Sequence, residues 1–278
     1  MRDTGNRASL RLRQWTAPIG QLIVSEPTPL KWVFILGCYN SGTTLLHQIL
    51  SRHQSIGSMP AEGQEFTRQL PKGSDYRLPR LWALKPELFY LDEHSVTSID
   101  ARRLRKEWAW FYNEPSRPVL LEKTILNAAR SRWLQKEFPG SFFISIFRNG
   151  YAVAEGITRK EGHSLKSSAT QWSAANEILL RDMTALEHHH VVYYEDLVSN
   201  PAKVLQGITS FLEISPLPAS VFEGEFDIHR FKSGIRDMNR ESISRLTPAD
   251  VEVINEVAGA TLIRLGYNVI QPGFSPRT

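Results

Sequence analysis

Cysteine is almost absent from this sequence: Cys38 is the only one among 278 residues. A single cysteine excludes both an intramolecular disulfide framework and a zinc site built from cysteine thiolates. Apolar runs are also short, and none approaches the roughly 18 residues of a membrane-spanning helix. The basic start of the chain is not followed by an apolar run of signal-peptide length. We therefore expect a soluble cytoplasmic protein without a membrane span.

A large excess of one charge is lacking as well. The 33 Lys and Arg residues against 29 Asp and Glu residues give a formal net charge of +4. This small excess suits a small anionic ligand as well as a polyanion, but the chain has no dense basic tract of the kind that binds nucleic acid. With 41% hydrophobic residues, the chain can bury a sizeable core, which excludes a disordered or fibrous protein. We expect no nucleic-acid partner.

The most informative segment is a loop between a strand pattern and a helix pattern. Residues 32–36 form a continuous apolar run of strand length, and apolar residues at 45, 46, 49 and 50 recur with helical spacing. Glycines at both ends of the loop let several backbone N–H groups point at one oxyanion, beside a helix N-terminus. This pattern predicts a phosphate-binding loop, although a strand-to-helix turn can also use glycine for structural reasons alone. Its candidate binding residues are Asn40, Ser41, Gly42, Thr43 and Thr44.

The loop lacks the lysine of nucleoside-triphosphate sites. In those sites a lysine follows the second glycine and reaches the β- and γ-phosphates, but here Thr43 follows Gly42. We therefore expect a loop that holds one phosphate of a different nucleotide, with no metal required.

Strand and helix patterns alternate along the rest of the chain. Strands are predicted at 119–121, 141–147 and 190–194. Helices are predicted at 99–112, 128–138, 151–160, 169–188, 201–212 and 248–265, the last with Thr247 as N-cap and Gly266 after its end. This alternation predicts an α/β fold, a P-loop-like parallel β-sheet flanked by helices on both faces.

Four motifs in order resemble the sulfotransferase family, which uses 3′-phosphoadenosine-5′-phosphosulfate (PAPS) and releases 3′-phosphoadenosine-5′-phosphate (PAP). They are the loop at 39–46, Glu122-Lys123-Thr124, Phe147-Arg148-Asn149-Gly150 and the segment 193–198 followed by Asn200-Pro201. The motifs cover most of residues 31–212 and are most similar to the tyrosylprotein and carbohydrate-type branches. The resemblance implies an enzyme that transfers a sulfonyl group to a hydroxyl or amine by in-line displacement, without a metal.

The resemblance also implies roles for residues outside the loop. Lys123 corresponds to a lysine that stabilises the leaving group, and Arg148 to an arginine that binds the 3′-phosphate. Lys160 stands where the tyrosylprotein branch has a second basic contact, and Tyr194 matches a tyrosine on the adenine side. Ser242 lies in a basic segment that relatives close over the cofactor.

The family keeps a glutamate base in the loop after the first helix, and this loop offers two candidates. We assign Glu62 as the general base, with Glu65 as the alternative. Structural explanations remain open beside these roles. Glu62 could be an exposed loop residue, Lys123 could form a weak surface ion pair with Glu122, and Tyr194 could simply pack in the core.

Two positions depart from the family pattern. Asn40 stands where relatives often carry Arg or Lys, and Gly156 stands where they carry a serine that binds the 3′-phosphate; Thr158, Arg159 or Lys160 could compensate for that serine. These departures keep two alternatives open: a nucleotide kinase on the same type of fold, and a catalytically silent nucleotide-binding protein.

We expect one sulfotransferase-type domain over residues 30–270, between an irregular arm at 1–29 and a tail at 271–278. The proline-rich, irregular segment 57–118 is interpreted as an insertion on the acceptor side. The acceptor remains open among a small molecule, a glycan and a peptide, and no pattern indicates an oligomeric state.

Overall fold

The structure, a computed structural model, describes residues 24–222, 224–228 and 231–271. Most of the predicted arm and all but one residue of the predicted tail lie outside these ranges. The centre of the fold is a five-stranded sheet in the order β2-β3-β1-β4-β5, in which all neighbouring strands are parallel. Its strands are β1 Lys31–Gly37, β2 Ile56–Ser58, β3 Val119–Glu122, β4 Ser141–Phe147 and β5 His189–Tyr193.

Helices connect these strands and follow the last one. They are α1 Thr43–Leu50, α2 Ala101–Ala109, α3 Ser131–Glu137, α4 Gly150–Glu161, α5 Leu165–Asp182, α6 Tyr194–Ser199, α7 Pro201–Phe211, α8 Asn239–Ile243 and α9 Pro248–Arg264. A small antiparallel hairpin joins β6 Phe226–Ile228 to β7 Phe231–Ser233. Within the described ranges, no helix is both long and apolar enough to cross a membrane.

The side chains of β1 divide the core into two layers because successive residues of a strand point to opposite faces. Trp32, Phe34 and Leu36 belong to the layer that includes α4, α5 and α9. Val33 and Ile35 belong to the opposite layer, which includes α1 and α7. The predicted parallel sheet with helices on both faces is confirmed.

Several predicted boundaries are wrong. The long helix, predicted at 169–188, runs from Leu165 to Asp182, and it begins at Leu165 because the Ser164 side chain accepts a hydrogen bond from the Ser167 N–H and caps it there. Other errors arise where one apolar sequence pattern continues across the boundary between two secondary-structure elements. The predicted helix at 128–138 is a 3-10 turn at Ile125–Ala129 followed by α3, and the strand predicted at 190–194 ends at Tyr193 because Tyr194 already begins α6.

The segment 57–118 contributes to the core as well as to the surface. Ile56–Ser58 forms the edge strand β2, which was not predicted, so the segment begins inside a strand of the main sheet. The predicted helix within it is confirmed as α2, and its Trp108 packs near Phe34 of β1. Between β2 and α2 the chain forms four short 3-10 turns.

Candidate functional site

The loop between β1 and α1 is shaped by two residues with positive φ. Gly42, directly before α1, has φ +96°, and Asn40 has φ +62°. Few residues with a Cβ adopt this region, and Asn is among those that do. A Cβ at position 42 would also lie 2.7 Å from Cδ2 of Tyr194, so glycine is required there. The turn holds the loop at the carboxyl edge of the sheet, where ligands of open α/β sheets bind.

Several polar groups of this loop lack partners within the part of the chain that the structure describes. Ser41 Oγ and Asn40 Nδ2 are buried there without a hydrogen-bond partner. The N-terminus of α1 has no side-chain cap, so its first N–H groups are further donors beside the positive end of the helix dipole. Thr44 is partly exposed at the same point, whereas Thr43 is buried. This donor set fits a phosphate group.

The end of β3 holds the loop after β2 by hydrogen bonds to its backbone. Glu122 Oε1 accepts one from the Gly63 N–H at 2.8 Å, and Thr124 Oγ1 accepts one from the Gln64 N–H at 3.3 Å. We call this contact between residues 122–124 and residues 62–64 the clasp. Because it acts on main-chain groups, it fixes the path of the loop.

Inside the clasp, the two candidate catalytic side chains meet. Lys123 Nζ lies 3.0 Å from Glu62 Oε1, and both side chains are largely shielded from solvent. The same ammonium nitrogen lies 3.5 Å from Thr44 Oγ1, and Gln64 Nε2 donates to Glu62 Oε2 at 2.7 Å. A carboxylate, an ammonium group and the phosphate-type loop therefore converge on one point.

The sequence did not indicate that Glu122 is buried. Glu122 is fully buried and also accepts hydrogen bonds from Thr124 Oγ1 and Asn127 Nδ2, while burial raises its pKa. The suggested surface ion pair between Glu122 and Lys123 is therefore wrong. Glu65 lies outside the convergence point, since its carboxylate pairs with Lys72 at 3.1 Å near the surface.

Arg148 connects three parts of the site from the end of β4. Its Nε donates to Asn239 Oδ1 at 2.8 Å, and its Nη1 donates to the Asn40 carbonyl at 2.7 Å. Its guanidinium carbon lies 4.1 Å from the centre of the Tyr194 ring. Arg148 is only 8% exposed, so these contacts hold it rigidly against the loop.

Tyr194 and Ser242, two residues expected to bind the nucleotide, are both buried. The Tyr194 hydroxyl donates to the Arg236 carbonyl at 3.0 Å and accepts from the Met238 N–H at 3.1 Å. These contacts favour the core-packing alternative for Tyr194, whose ring packs against Gly42 of the loop. Ser242 lies in α8, the helix that also carries Asn239.

The two departures from the family pattern contact each other. A Cβ at Gly156 would lie 3.2 Å from Asn40 Nδ2, so the Asn40 carboxamide occupies the space beside this glycine. Asn40 Oδ1 accepts a hydrogen bond from Lys160 Nζ at 2.8 Å. Thr158 and Arg159 bond to other residues of α4 and α5 instead. Of the three residues that could compensate, Lys160 is therefore the one that reaches the loop.

A cavity of about 340 Å³ opens beside Lys123 and Thr44. One wall is the exposed side of α1, and the other is the segment 58–61 that follows β2. His47 lines this cavity, and its Nε2 has no hydrogen-bond partner among the described residues. Burial and the charge of Lys123 lower the pKa of His47 to about 3, so its imidazole is neutral at pH 7.

Comparison with known sequences identifies related proteins. Residues 33–218 match a sequence model described as the sulfotransferase family. A protein-tyrosine sulfotransferase 2 of Gallus gallus is 32% identical over 205 residues, which cover 69% of this chain and 53% of that protein. A protein-tyrosine sulfotransferase 1 of Danio rerio is 29% identical, with 88% of this chain and 74% of that protein covered. The chain thus spans about half the length of the Gallus gallus relative.

Solved structures show the same fold. The sulfotransferase domain from the Synechococcus PCC 7002 olefin synthase superposes with a TM-score of 0.59 at 19% identity, covering 89% of this chain and 98% of that domain. A mouse sulfotransferase complexed with PAP superposes with a TM-score of 0.51 at 15% identity, covering 85% of this chain and 86% of that protein.

Proposed function

The chain belongs to the sulfotransferase family, and from that premise we propose that it transfers a sulfonyl group from PAPS to a hydroxyl acceptor. The observation that carries this proposal is the convergence of Lys123 Nζ on Glu62 at 3.0 Å and on Thr44 at 3.5 Å. Sulfonyl transfer needs a proton acceptor, a cation for the leaving group and a phosphate cradle, and these residue types supply all three.

The residues present fit PAPS. The Ser41 hydroxyl and the first N–H groups of α1, which lack partners among the described residues, suit its 5′-phosphosulfate end, as does the absence of a side chain at Gly42. Arg148 and Lys160 would hold the 3′-phosphate. When bound, PAPS supplies the sulfonyl group together with a phosphate leaving group.

The chain's own residues would divide the chemistry between them. Glu62 accepts the proton of the acceptor hydroxyl, which makes the oxygen nucleophilic. Lys123 stabilises the negative charge that develops on the leaving phosphate oxygen. Glu122 does not react; its hydrogen bond to the Gly63 N–H keeps the neighbouring Glu62 carboxylate in place.

For the acceptor we propose a phenolic hydroxyl. The related proteins of Gallus gallus and Danio rerio are named as protein-tyrosine sulfotransferases, and tyrosine carries such a hydroxyl. The cavity beside Lys123 has a volume of about 340 Å³, at the lower end of small-molecule sites, and Met59, Pro60 and Ala61 give it an apolar wall for a ring.

Two measurements test this function. Labelled PAPS is incubated with phenols, tyrosine peptides, sugars and amines, and PAP binding is measured by titration calorimetry without magnesium. We expect labelled phenolic products and magnesium-independent PAP binding. Magnesium-dependent ATP binding without PAP binding would favour the kinase alternative, and PAP binding without any transfer would favour the silent binding protein.

A further inference from the structure

Arg80 comes to the phosphate loop from the segment between β2 and α2. Contacts of neighbouring residues fix its backbone: the Pro79 carbonyl lies 2.9 Å from Nε2 of His163, in the turn between α4 and α5, and the Ala83 N–H donates to Gln171 Oε1 of α5 at 2.7 Å. The Arg80 side chain, 23% exposed, pairs through Nε with Glu161 Oε1 at 2.5 Å. Arg80 is therefore held in place and is not a free surface arginine.

Three cations from three different segments of the chain meet at Asn40. Arg80 Nη1 lies 3.4 Å from Asn40 Oδ1, and Lys160 Nζ donates to the same oxygen at 2.8 Å. Arg148 Nη1 donates to the Asn40 carbonyl. A neutral carboxamide thus receives two positively charged donors, although such donors bond more strongly to an anion.

The charges around this point are not balanced. Although much of the Lys160 side chain is exposed, burial of its ammonium group and repulsion from Arg80, Arg159 and Arg148 lower its pKa to about 8. Glu161 opposes this shift only weakly, and no described carboxylate forms an ion pair with Lys160. An anion placed beside Asn40 would relieve the repulsion.

We propose that Arg80 binds the 3′-phosphate of the nucleotide together with Lys160, and that Asn40 Oδ1 holds both cations in position before the nucleotide arrives. This inference rests on the proposed function, because it concerns the same nucleotide. The phosphate replaces the carboxamide oxygen as acceptor for both donors. One contact to the nucleotide then comes from the segment between β2 and α2 and not from the strand ends of the sheet.

The chain offers a matched control for this role. Arg77 lies three residues earlier, is exposed, and has φ +57°, while Arg80 has φ +60°. Alanine at either position therefore meets the same backbone conformation, and only the side-chain contacts differ. The variants are Arg80→Ala, Arg80→Lys and Arg77→Ala, with thermal unfolding measured for each.

Titration calorimetry without magnesium compares PAP with adenosine 5′-monophosphate, which lacks the 3′-phosphate. We expect Arg80→Ala to weaken PAP binding about tenfold or more and adenosine 5′-monophosphate binding less than about twofold. Arg80→Lys, which keeps the charge but not the forked donors, should lie between Arg80→Ala and the wild type. Arg77→Ala should leave both affinities within about twofold of the wild type.

The outcomes separate this proposal from the proposed function. Unchanged PAP affinity in Arg80→Ala, or an equal loss for both nucleotides, would overturn the role of Arg80 alone. If Arg80→Ala does not fold, Arg80→Lys decides the question instead. A larger loss of affinity for PAP than for adenosine 5′-monophosphate would support the role of Arg80, and equal losses would overturn it. A wild-type protein that fails to bind PAP would overturn both proposals.

Discussion

Replacing Glu62 by Gln tests the proposed chemistry with little change in shape. The carboxylate accepts from Gln64 and pairs with Lys123 at 3.0 Å. Gln keeps the size of the side chain but cannot take up the acceptor proton. Loss of a positioned general base lowers turnover by about 10²–10⁴-fold, or roughly 2.7–5.4 kcal/mol of transition-state stabilisation.

The affinity for the nucleotide should stay the same or rise in Glu62→Gln, although turnover falls. The Glu62 side chain is 22% exposed and that of Lys123 is 12% exposed, so we discount their ion pair to the roughly 0.2–1 kcal/mol of solvent-screened pairs. Removing the carboxylate releases Lys123 for the phosphosulfate, so Glu62→Gln should bind PAPS equally well or up to about fivefold more tightly. Single-turnover transfer of labelled sulfate measures the rate, and titration calorimetry measures the affinity.

Glu65→Gln is the control, because Glu65 pairs with Lys72 near the surface. Its turnover should stay within about twofold of the wild type. Full activity in Glu62→Gln with a collapse in Glu65→Gln would mean that the wrong carboxylate was assigned as base. Full activity in both variants would refute a carboxylate base, and a tenfold loss of nucleotide affinity in Glu62→Gln would refute its assignment to the acceptor side.

Three further predictions follow from the site. Arg148→Ala should weaken PAP binding by roughly 2–4 kcal/mol and binding of a nucleotide without the 3′-phosphate by less; equal losses in calorimetry would remove Arg148 from that role. Because Lys160 has a pKa of about 8 that a bound phosphate would raise, PAP binding should take up protons and weaken from pH 7 to pH 9. Calorimetry in buffers of different ionisation enthalpy measures this uptake, which Lys160→Gln should abolish. Glu122→Gln should lower the free energy of unfolding by about 1–3 kcal/mol, because a buried donor such as Asn127 Nδ2 loses its acceptor; unchanged denaturant unfolding would contradict this.

Local patterns were sufficient to predict four of the five strands of the sheet and the loop between β1 and α1. Residues 32–36 form a continuous apolar run and residues 141–147 a mainly apolar one, so both indicate buried strands, and the loop residues follow the first strand directly. Glu62 and Lys123 were identified through the resemblance, 61 positions apart in the chain. Their 3.0 Å contact depends on the order of the strands, which no local pattern specifies.

The features that escaped prediction depend on contacts between distant segments. The strand Ile56–Ser58 has three residues, too few for a periodic signal, and exists because β3 pairs with it. A charged residue beside a lysine suggests the surface, so the burial of Glu122 was not foreseen. Arg80 lies in an irregular, proline-rich segment where its sequence neighbours indicate neither helix nor strand.

The clasp also bears on how this scaffold could be re-engineered. Because the Glu122 and Thr124 side chains accept hydrogen bonds from the main-chain N–H groups of Gly63 and Gln64, these contacts do not depend on which side chains stand at positions 63 and 64. Under the proposed function, a chimera that exchanges residues 65–100 for those of a relative would keep these two hydrogen bonds and should acquire a different acceptor range. Such a graft would have to replace the core residues that this segment supplies, among them Phe66, Trp82 and Phe89. On the proposed role of Arg80, it would also need an arginine at position 80.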